Sequence, residues 1–242
     1  MIVDDKGWLI SASGDPVGKQ FPTVRTYELV TPMPLGIVWH YTDGAGGSGY
    51  AEGLARRIQT FRRDVDRPAS WHILIARDGA IYQSAPFTVG TWHVGKPGGI
   101  AGRRFANINH VTVGCELENA GRLLRLGSAA YCWPYYRNPS APPYERRPDP
   151  ACVVSLDRAV ATSAGLFDAY TPAQEASAAV VLRALIARYG WSRAVCAYGH
   201  VDFDAANRED PGPVWSQTVL PRVLDRVFGA SAPSSFTTGT AG

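Results

Sequence analysis

A chain of 242 residues, 45% apolar and 19% charged, has the make-up of a soluble globular protein: one domain with insertions, long enough to bury a full core. A net charge of +3 is too mild for a nucleic-acid-binding protein, whereas a pI near 8.7 suits an anionic surface. No apolar run approaches a membrane span, and Met1-Ile2-Val3-Asp4-Asp5-Lys6 turns acidic at once, unlike a signal peptide.

Residues 1–35 are polar with scattered glycines and prolines and predict an irregular arm packed on the domain, with one short strand around Val24–Val30. Gly36-Ile37-Val38-Trp39-His40 reads as an apolar strand ending in a histidine, where the glycine-rich loop Asp43–Gly49 begins. From Ala51 to Asp66, Leu54, Ile58, Phe61 and Val65 recur at helical spacing, with Arg56, Arg57, Arg62 and Arg63 off the stripe. That pattern predicts an amphipathic helix on a sheet, its arginines forming a solvated face. Trp71–Ala76 predicts a strand, Arg77-Asp78-Gly79 a hairpin turn and Ala80–Gln83 the returning strand. Thr91-Trp92-His93-Val94-Gly95 follows, then a loop of glycines and arginines.

Asn109–Asn119 contains a further strand, whose alternation puts Thr112, Gly114, Glu116 and Glu118 on one face and Val111, Val113, Cys115 and Leu117 on the other. A carboxylate in a core strand is costly unless paired or functional. Glu116 and Glu118 are therefore candidates for chemistry, with a strand-end surface residue as the plainer alternative for both, the better fit of the two readings for Glu118. Ala120–Tyr170 is an insertion with Tyr131, Trp133, Tyr135, Tyr136 and Tyr144 among several prolines, predicted as an ordered aromatic flap. The four cysteines show no C-x-x-C spacing; Cys115 and Cys196 read as small buried hydrophobes, while Cys132 and Cys152 are placed to pair in an oxidising compartment.

Thr171-Pro172-Ala173-Gln174 has the form of a capping box and predicts a helix from Pro172 to Tyr189, ended by Gly190. Ala194–Tyr198 reads as a short buried strand leading to His200, and Asp210, before Pro211, reads as the N-cap of a last helix that Pro221 kinks or splits. Residues 230–242 read as a mobile tail. A strand-end histidine and a helix-start aspartate joined by a polar loop can point into one cleft. Imidazole and carboxylate are both zinc ligands, and a catalytic zinc needs three from the protein; an ordinary cap beside a surface histidine is the plainer alternative.

Taken in order, GIVWH, WHILIARDGAIYQ, TWHVG, NHVTVGCELEN and GHVDFDAANREDPGP resemble the zinc-dependent N-acetylmuramoyl-L-alanine amidases, a family that includes phage T7-type lysozymes and is related to peptidoglycan recognition proteins. The resemblance covers about residues 36–119 and 172–228. It implies an α/β (α+β) domain over residues 36–229, with a central mixed β-sheet flanked by helices. It also implies that His40, His200 and Asp210 bind Zn2+, that Glu116 is the catalytic acid–base and that Arg208 is the basic residue two before the aspartate. Trp71, His72, Trp92, His93 and Asn109 fall along the implied substrate groove, His72 and His93 as groove residues or supports of the ligands. Trp71 stands where the T7-like branch has a tyrosine, which leaves the glutamate as the proton carrier. Asn107 stands where the muropeptide branch has an arginine that reads the stem-peptide carboxylate, a task open to Arg103 or Arg104.

The implied reaction is zinc-dependent hydrolysis of the amide between N-acetylmuramic acid and L-alanine, in peptidoglycan or a muropeptide. A phage-type lysin, an injected antibacterial hydrolase and a cytosolic recycling enzyme all fit a chain synthesised in the cytoplasm without a signal peptide. An immunity protein or a delivery apparatus is a candidate partner for the injected case, and neither nucleic acid nor stable membrane insertion is expected. A non-catalytic peptidoglycan-binding module, or an interaction protein docking through the aromatic insertion, are the readings from other classes.

Overall fold

The computed structural model describes residues 1–60, 69–131 and 153–229. The C-terminal part of the first predicted helix, Cys132, Cys152, the aromatics Trp133, Tyr135, Tyr136 and Tyr144, and the tail lie outside the described residues. In chain order the strands are β1 (Ile2–Val3), β2 (Leu9–Ile10), β3 (Lys19–Gln20), β4 (Thr26–Glu28), β5 (Gly36–Tyr41), β6 (Ile73–Ile75), β7 (Ile81–Gln83), β8 (Val89–Thr91), β9 (Gly98–Ile100), β10 (Arg103–Phe105) and β11 (Thr112–Leu117). Then come β12 (Arg122–Leu126), β13 (Ala129–Tyr131), β14 (Val153–Val154), β15 (Ala159–Thr162), β16 (Gly165–Asp168) and β17 (Tyr198–Gly199). The helices are α1 (Tyr50–Gln59), α2 (Pro172–Tyr189), α3 (Val201–Asp204) and α4 (Leu220–Phe228).

A six-stranded mixed sheet, ordered β17-β5-β11-β6-β7-β3, forms the centre. β5, β11 and β6 run parallel, and β7 turns back antiparallel to β6 through the predicted Arg77-Asp78-Gly79 turn. Parallel strands covered on both faces read as continuous apolar runs, as Ile37-Val38-Trp39 and Ile73-Leu74-Ile75 do. One face, carrying Ile37, Trp39, Ile73, Ile75, Val113, Cys115 and Leu117, packs on α2 and α4 through Val181, Leu182, Leu185 and Val223. Both Cys115 and Cys196 are buried free thiols. The other face carries Val38, His40, Gly114 and Glu116; toward its β6–β7 side, Trp71 and Leu74 pack on Ala51, Ala55 and Ile58 of α1.

The expected capping box is present: Thr171 Oγ1 accepts from Gln174 N at 3.1 Å, and Gln174 Oε1 accepts from Thr171 N at 3.1 Å. The Gln174 side chain also donates to the carbonyl of Glu118 at 2.9 Å, docking α2 onto β11. Gly190 ends the helix with φ +68°, the left-handed conformation that favours glycine. Among the described residues no helix is long and apolar enough to cross a membrane.

Several expectations need correction. The strand expected around Val24–Val30 is present as β4, paired with β8, but the rest of the arm is more regular than its composition suggests: Leu9 and Val3 enter the main core and β3 extends the sheet. Gln83 stitches it down, accepting from Leu9 N at 2.8 Å and donating to Gly7 O at 3.0 Å. The described parts of the insertion form a second antiparallel sheet, ordered β14-β13-β12-β16-β15, around Leu123, Ala130 and Val154. Its strands are two to five residues long, too short for the alternation to stand out. Most of the predicted Ala194–Tyr198 strand is instead a 3-10 turn, Arg193–Cys196, with strand pairing confined to Tyr198–Gly199, and the Cys196 carbonyl accepts from Trp39 Nε1 at 2.9 Å. Glu118 is not a surface residue: it is buried, and its carboxylate accepts from Gly47 N at 3.1 Å and Arg77 N at 3.0 Å.

The second sheet is pinned to the first by Asp168, which is 1% exposed. Its carboxylate accepts from Arg77 Nη1 at 3.2 Å, Arg158 Nε at 2.9 Å and Ala120 N at 2.9 Å. A carboxylate buried this deeply is tolerable only with partners of this kind.

Candidate metal centre and active-site cleft

The register of the central sheet decides what sits beside His40. Parallel pairing of β11 with β5 places Glu116 opposite His40, and both point to the face away from α2. His200 follows β17, the strand on the other side of β5, and opens α3. The chain then loops out and returns so that Val201 N donates to Asp210 O at 3.0 Å. Gly199 permits this return, since a Cβ there would lie 2.5 Å from Pro211 Cδ. Asp210 therefore does not cap a helix: Asp210–Pro211 is a turn, closed by Gly212 N donating to Glu209 O at 2.8 Å, followed by a wide helical stretch, Val214–Val219, and then α4 with Pro221 in its first turn.

His40, His200 and Asp210, each at most 7% exposed, bring three ligand atoms within 4.8 Å of one another. Asp210 Oδ2 lies 2.9 Å from His40 Nδ1 and 3.2 Å from His200 Nδ1. Bonds of about 2.0–2.2 Å to one tetrahedral ion separate neighbouring donors by roughly 3.3–3.5 Å, so small adjustments admit a metal. Burial pushes the Asp210 carboxyl upward, but the two imidazoles on Oδ2 outweigh it and hold the group below the usual carboxylate range. Burial pushes His40 down more strongly than Asp210 raises it. The result is a carboxylate beside a neutral imidazole, and His40 and His200 are the side chains that lie within hydrogen-bonding distance of the Asp210 carboxylate among the described residues. This donor set and its charge fit a divalent cation.

The cluster sits in a cavity of about 710 Å3. Glu116 lines it, and one of its carboxyl oxygens is buried without a hydrogen-bond partner. Burial first, and then the Asp210 charge, raise the Glu116 pKa well above the usual carboxylate range, against an opposing pull from Arg208. Arg208 is exposed on the cavity wall. Trp71, Trp92 and His93 also line the cavity, with Trp92 45% exposed and Trp71 8%.

His72 and Asn109 do not line the cavity. His72 is fully buried, its Nδ1 accepting from Gly114 N at 3.0 Å and its Nε2 donating to Val89 O at 2.9 Å. Asn109 Oδ1 accepts from the backbone N–H groups of Val94 at 2.6 Å and Gly95 at 3.0 Å, shaping the bend that carries Trp92 and His93 beyond β8. Arg103 and Arg104 lie on the β9–β10 hairpin and are not among the lining residues. Tyr41, Asp43, Arg122 and Glu209 also line the cavity, although the sequence reading did not single them out. Arg122 comes from the second sheet, its Nε donating to Glu209 Oε2 at 2.7 Å, while Tyr41 donates to Glu209 Oε1 at 3.3 Å. Adjacency to His40 and Asp210 was a signal for Tyr41 and Glu209; for Arg122, inside an insertion, there was none.

The chain is similar in structure to a selenomethionine derivative of AmpD, at 23% identity and a TM-score of 0.54, over 92% of this chain and 99% of that one. It is similar also to AmpD of Citrobacter freundii in solution (20% identity, TM-score 0.49, 96% and 99% of the two chains). A third similar structure is AmiD of E. coli in complex with its substrate anhydro-N-acetylmuramic acid-L-Ala-D-gamma-Glu-L-Lys (18%, 0.49, 96% and 69%). No curated protein matches the chain. Residues 31–213 match the model of the N-acetylmuramoyl-L-alanine amidases, a span that contains His40, Glu116, His200 and Asp210, and the chain belongs to that family of peptidoglycan-cleaving hydrolases.

Proposed function

We propose that the protein is a zinc hydrolase that cleaves the amide between N-acetylmuramic acid and L-alanine, and that it acts on the cell wall, as a phage-type lysin or antibacterial wall hydrolase. The observation that carries the reading is the convergence of His40, His200 and Asp210 on one buried point with the Glu116 carboxyl in register beside it. Zinc held by those three side chains supplies Lewis acidity, polarising a carbonyl and making water a better acid.

The chain's own groups supply the rest. An amide resists hydroxide at neutral pH, so the site needs a proton carrier and a counter-charge for the oxygen. Glu116 takes the proton of the attacking water and returns it to the leaving amine; a raised pKa suits a group that must do both. Arg208, permanently cationic on the cavity wall, faces the carbonyl oxygen as negative charge develops there. Trp71 and Trp92 offer ring faces for the sugar, and Glu209, tied to Arg122 and Tyr41, steadies the loop that carries Arg208 and Asp210.

The test is metal analysis joined to product analysis. Purified protein is expected to hold one zinc, His40→Ala and His200→Ala are expected to release it, and digestion is expected to expose new L-alanine amino termini. Peptidoglycan binding without such products would favour the non-catalytic module. The mild positive charge supports the wall as substrate. Faster release from insoluble sacculi than from soluble muropeptides is expected, and activity confined to soluble muropeptides would return the recycling role.

A further inference from the structure

Thr112, Gly114 and Glu116 share one face of β11, and only Glu116 has so far been given work. Thr112 Oγ1 donates to Ile108 O at 2.8 Å and also lies 3.2 Å from His93 Nε2. A hydroxyl has one proton, and a carbonyl can only accept. With that proton committed to Ile108, Thr112 can only accept from His93, so the His93 proton sits on Nε2. His93 Nδ1 lies 3.1 Å from His40 Nε2. Two ring nitrogens at that distance need one proton between them. Among the described residues, the His93 ring meets His40, His72 and Thr112 and packs over Gly114, none of them a carboxylate that would favour a second proton on His93. His93 Nδ1 is then bare, and His40 Nε2–H donates to it.

We propose that Thr112 and His93 are positioning residues that lock His40 as its Nε2–H tautomer, presenting a bare Nδ1 lone pair toward Asp210 and the metal. The inference rests on the zinc reading above. It accounts for the 2.9 Å approach of His40 Nδ1 to the Asp210 carboxylate oxygen as two donor atoms set to share one cation, where the opposite tautomer would make the same contact a plain Nδ1–H hydrogen bond. It also explains Gly114, where a Cβ would lie 2.6 Å from His93 Cγ and 2.9 Å from Cδ2. The strand thus carries an anchor, a space for the ring, and an acid, at alternate positions. A histidine ligand held through its second nitrogen by hydrogen bonding gains orientation and basicity, and losing such a partner weakens metal binding about 10–100-fold.

The experiment is chelator competition for zinc with long-range 1H–15N spectra of the histidine rings. In zinc-loaded wild type, His93 is expected as Nε2–H with bare Nδ1, and His40 with its proton on Nε2 and its metal on Nδ1. Thr112→Val, close in shape but with no oxygen, is expected to raise the zinc Kd about 10–100-fold and let His93 populate its other tautomer, whereas Thr112→Ser is expected to restore both. Gly114→Ala, which crowds the ring, is expected to weaken zinc in the same direction. A His93 proton on Nδ1 in the wild type would overturn the proposal without any variant having to fold, as would wild-type zinc affinity or an unchanged tautomer in Thr112→Val. His40→Ala separates the two levels: zinc retained there sinks the ligand set, whereas zinc lost there but held normally by Thr112→Val sinks only the relay.

Discussion

Replacing His72 with glutamine gives the clearest measure of how far this histidine has been removed from the cleft. Burial depresses its pKa from 6.5 to about 4, and its two nitrogens already have fixed duties, Nδ1 accepting from Gly114 N–H and Nε2 donating to Val89 O. Protonation would turn the acceptor into a donor facing the Gly114 N–H, with the Thr91 hydroxyl at 3.0 Å left to accept from it. The unfolded chain takes up a proton on His72 near pH 6.5, the folded chain only near pH 4. Between those values the unfolded state binds more protons, so the contribution of His72 to stability is complete above pH 6.5 and drains away as the pH falls toward 4.

Each pH unit in that window is worth about 1.4 kcal/mol, so about 3 kcal/mol is involved across it and about 2 kcal/mol between pH 6.5 and 5. Glutamine has no such proton and can still donate to Val89. Urea unfolding of the metal-free wild type and His72→Gln at pH 7.5 and 5 should show the wild-type advantage shrinking by about 2 kcal/mol, because the other titrating groups are common to both proteins. A stability gap constant between the two pH values, with turnover lost in folded His72→Gln, would refute the reasoning and return His72 to the substrate groove.

Glu116→Gln should lower turnover on muropeptides by roughly two to four orders of magnitude while zinc and fold remain; near-wild-type cleavage in a product assay would remove Glu116 from the mechanism. Glu118→Gln should act on stability instead, lowering the unfolding free energy by about 1–3 kcal/mol as the charged acceptor of Gly47 N and Arg77 N is lost. A stable but inactive Glu118→Gln would reverse the two assignments. Asp168→Asn leaves Arg77 and Arg158 facing a neutral partner and should cost about 3–5 kcal/mol, with the second sheet exchanging its amide hydrogens first. Unchanged protection in hydrogen exchange would show that the sheet is held by something else.

Local chemistry made much of this molecule legible. The α2 helix follows from a capping box, an N1 proline and a left-handed glycine, all contained within a few residues, and the β6–β7 hairpin from a strong turn sequence between apolar runs. Period-two alternation identified the face of β11 that carries Thr112, Gly114 and Glu116, because side chains on a strand can only alternate. The ligand-capable residues were nameable by type and by their resemblance to a family. What alternation could not decide was depth: Glu116 and Glu118 share a face, and the difference lies in the parallel register that sets one against His40, while the loop amides of Gly47 and Arg77 close over the other. His72, His93 and Asn109 look alike as polar residues near a groove, and only their hydrogen-bond partners, 14 to 53 positions away, separate a buried strut from a cavity wall. The carboxylate of Asp210 was readable as a helix cap because local sequence favours one, yet contacts with His40, 170 residues distant, and His200 claim it. The second sheet and its Arg122 were invisible for the same reason: strands this short have no pattern of their own and owe their pairing, and their edge on the cleft, to neighbours brought up by the rest of the chain.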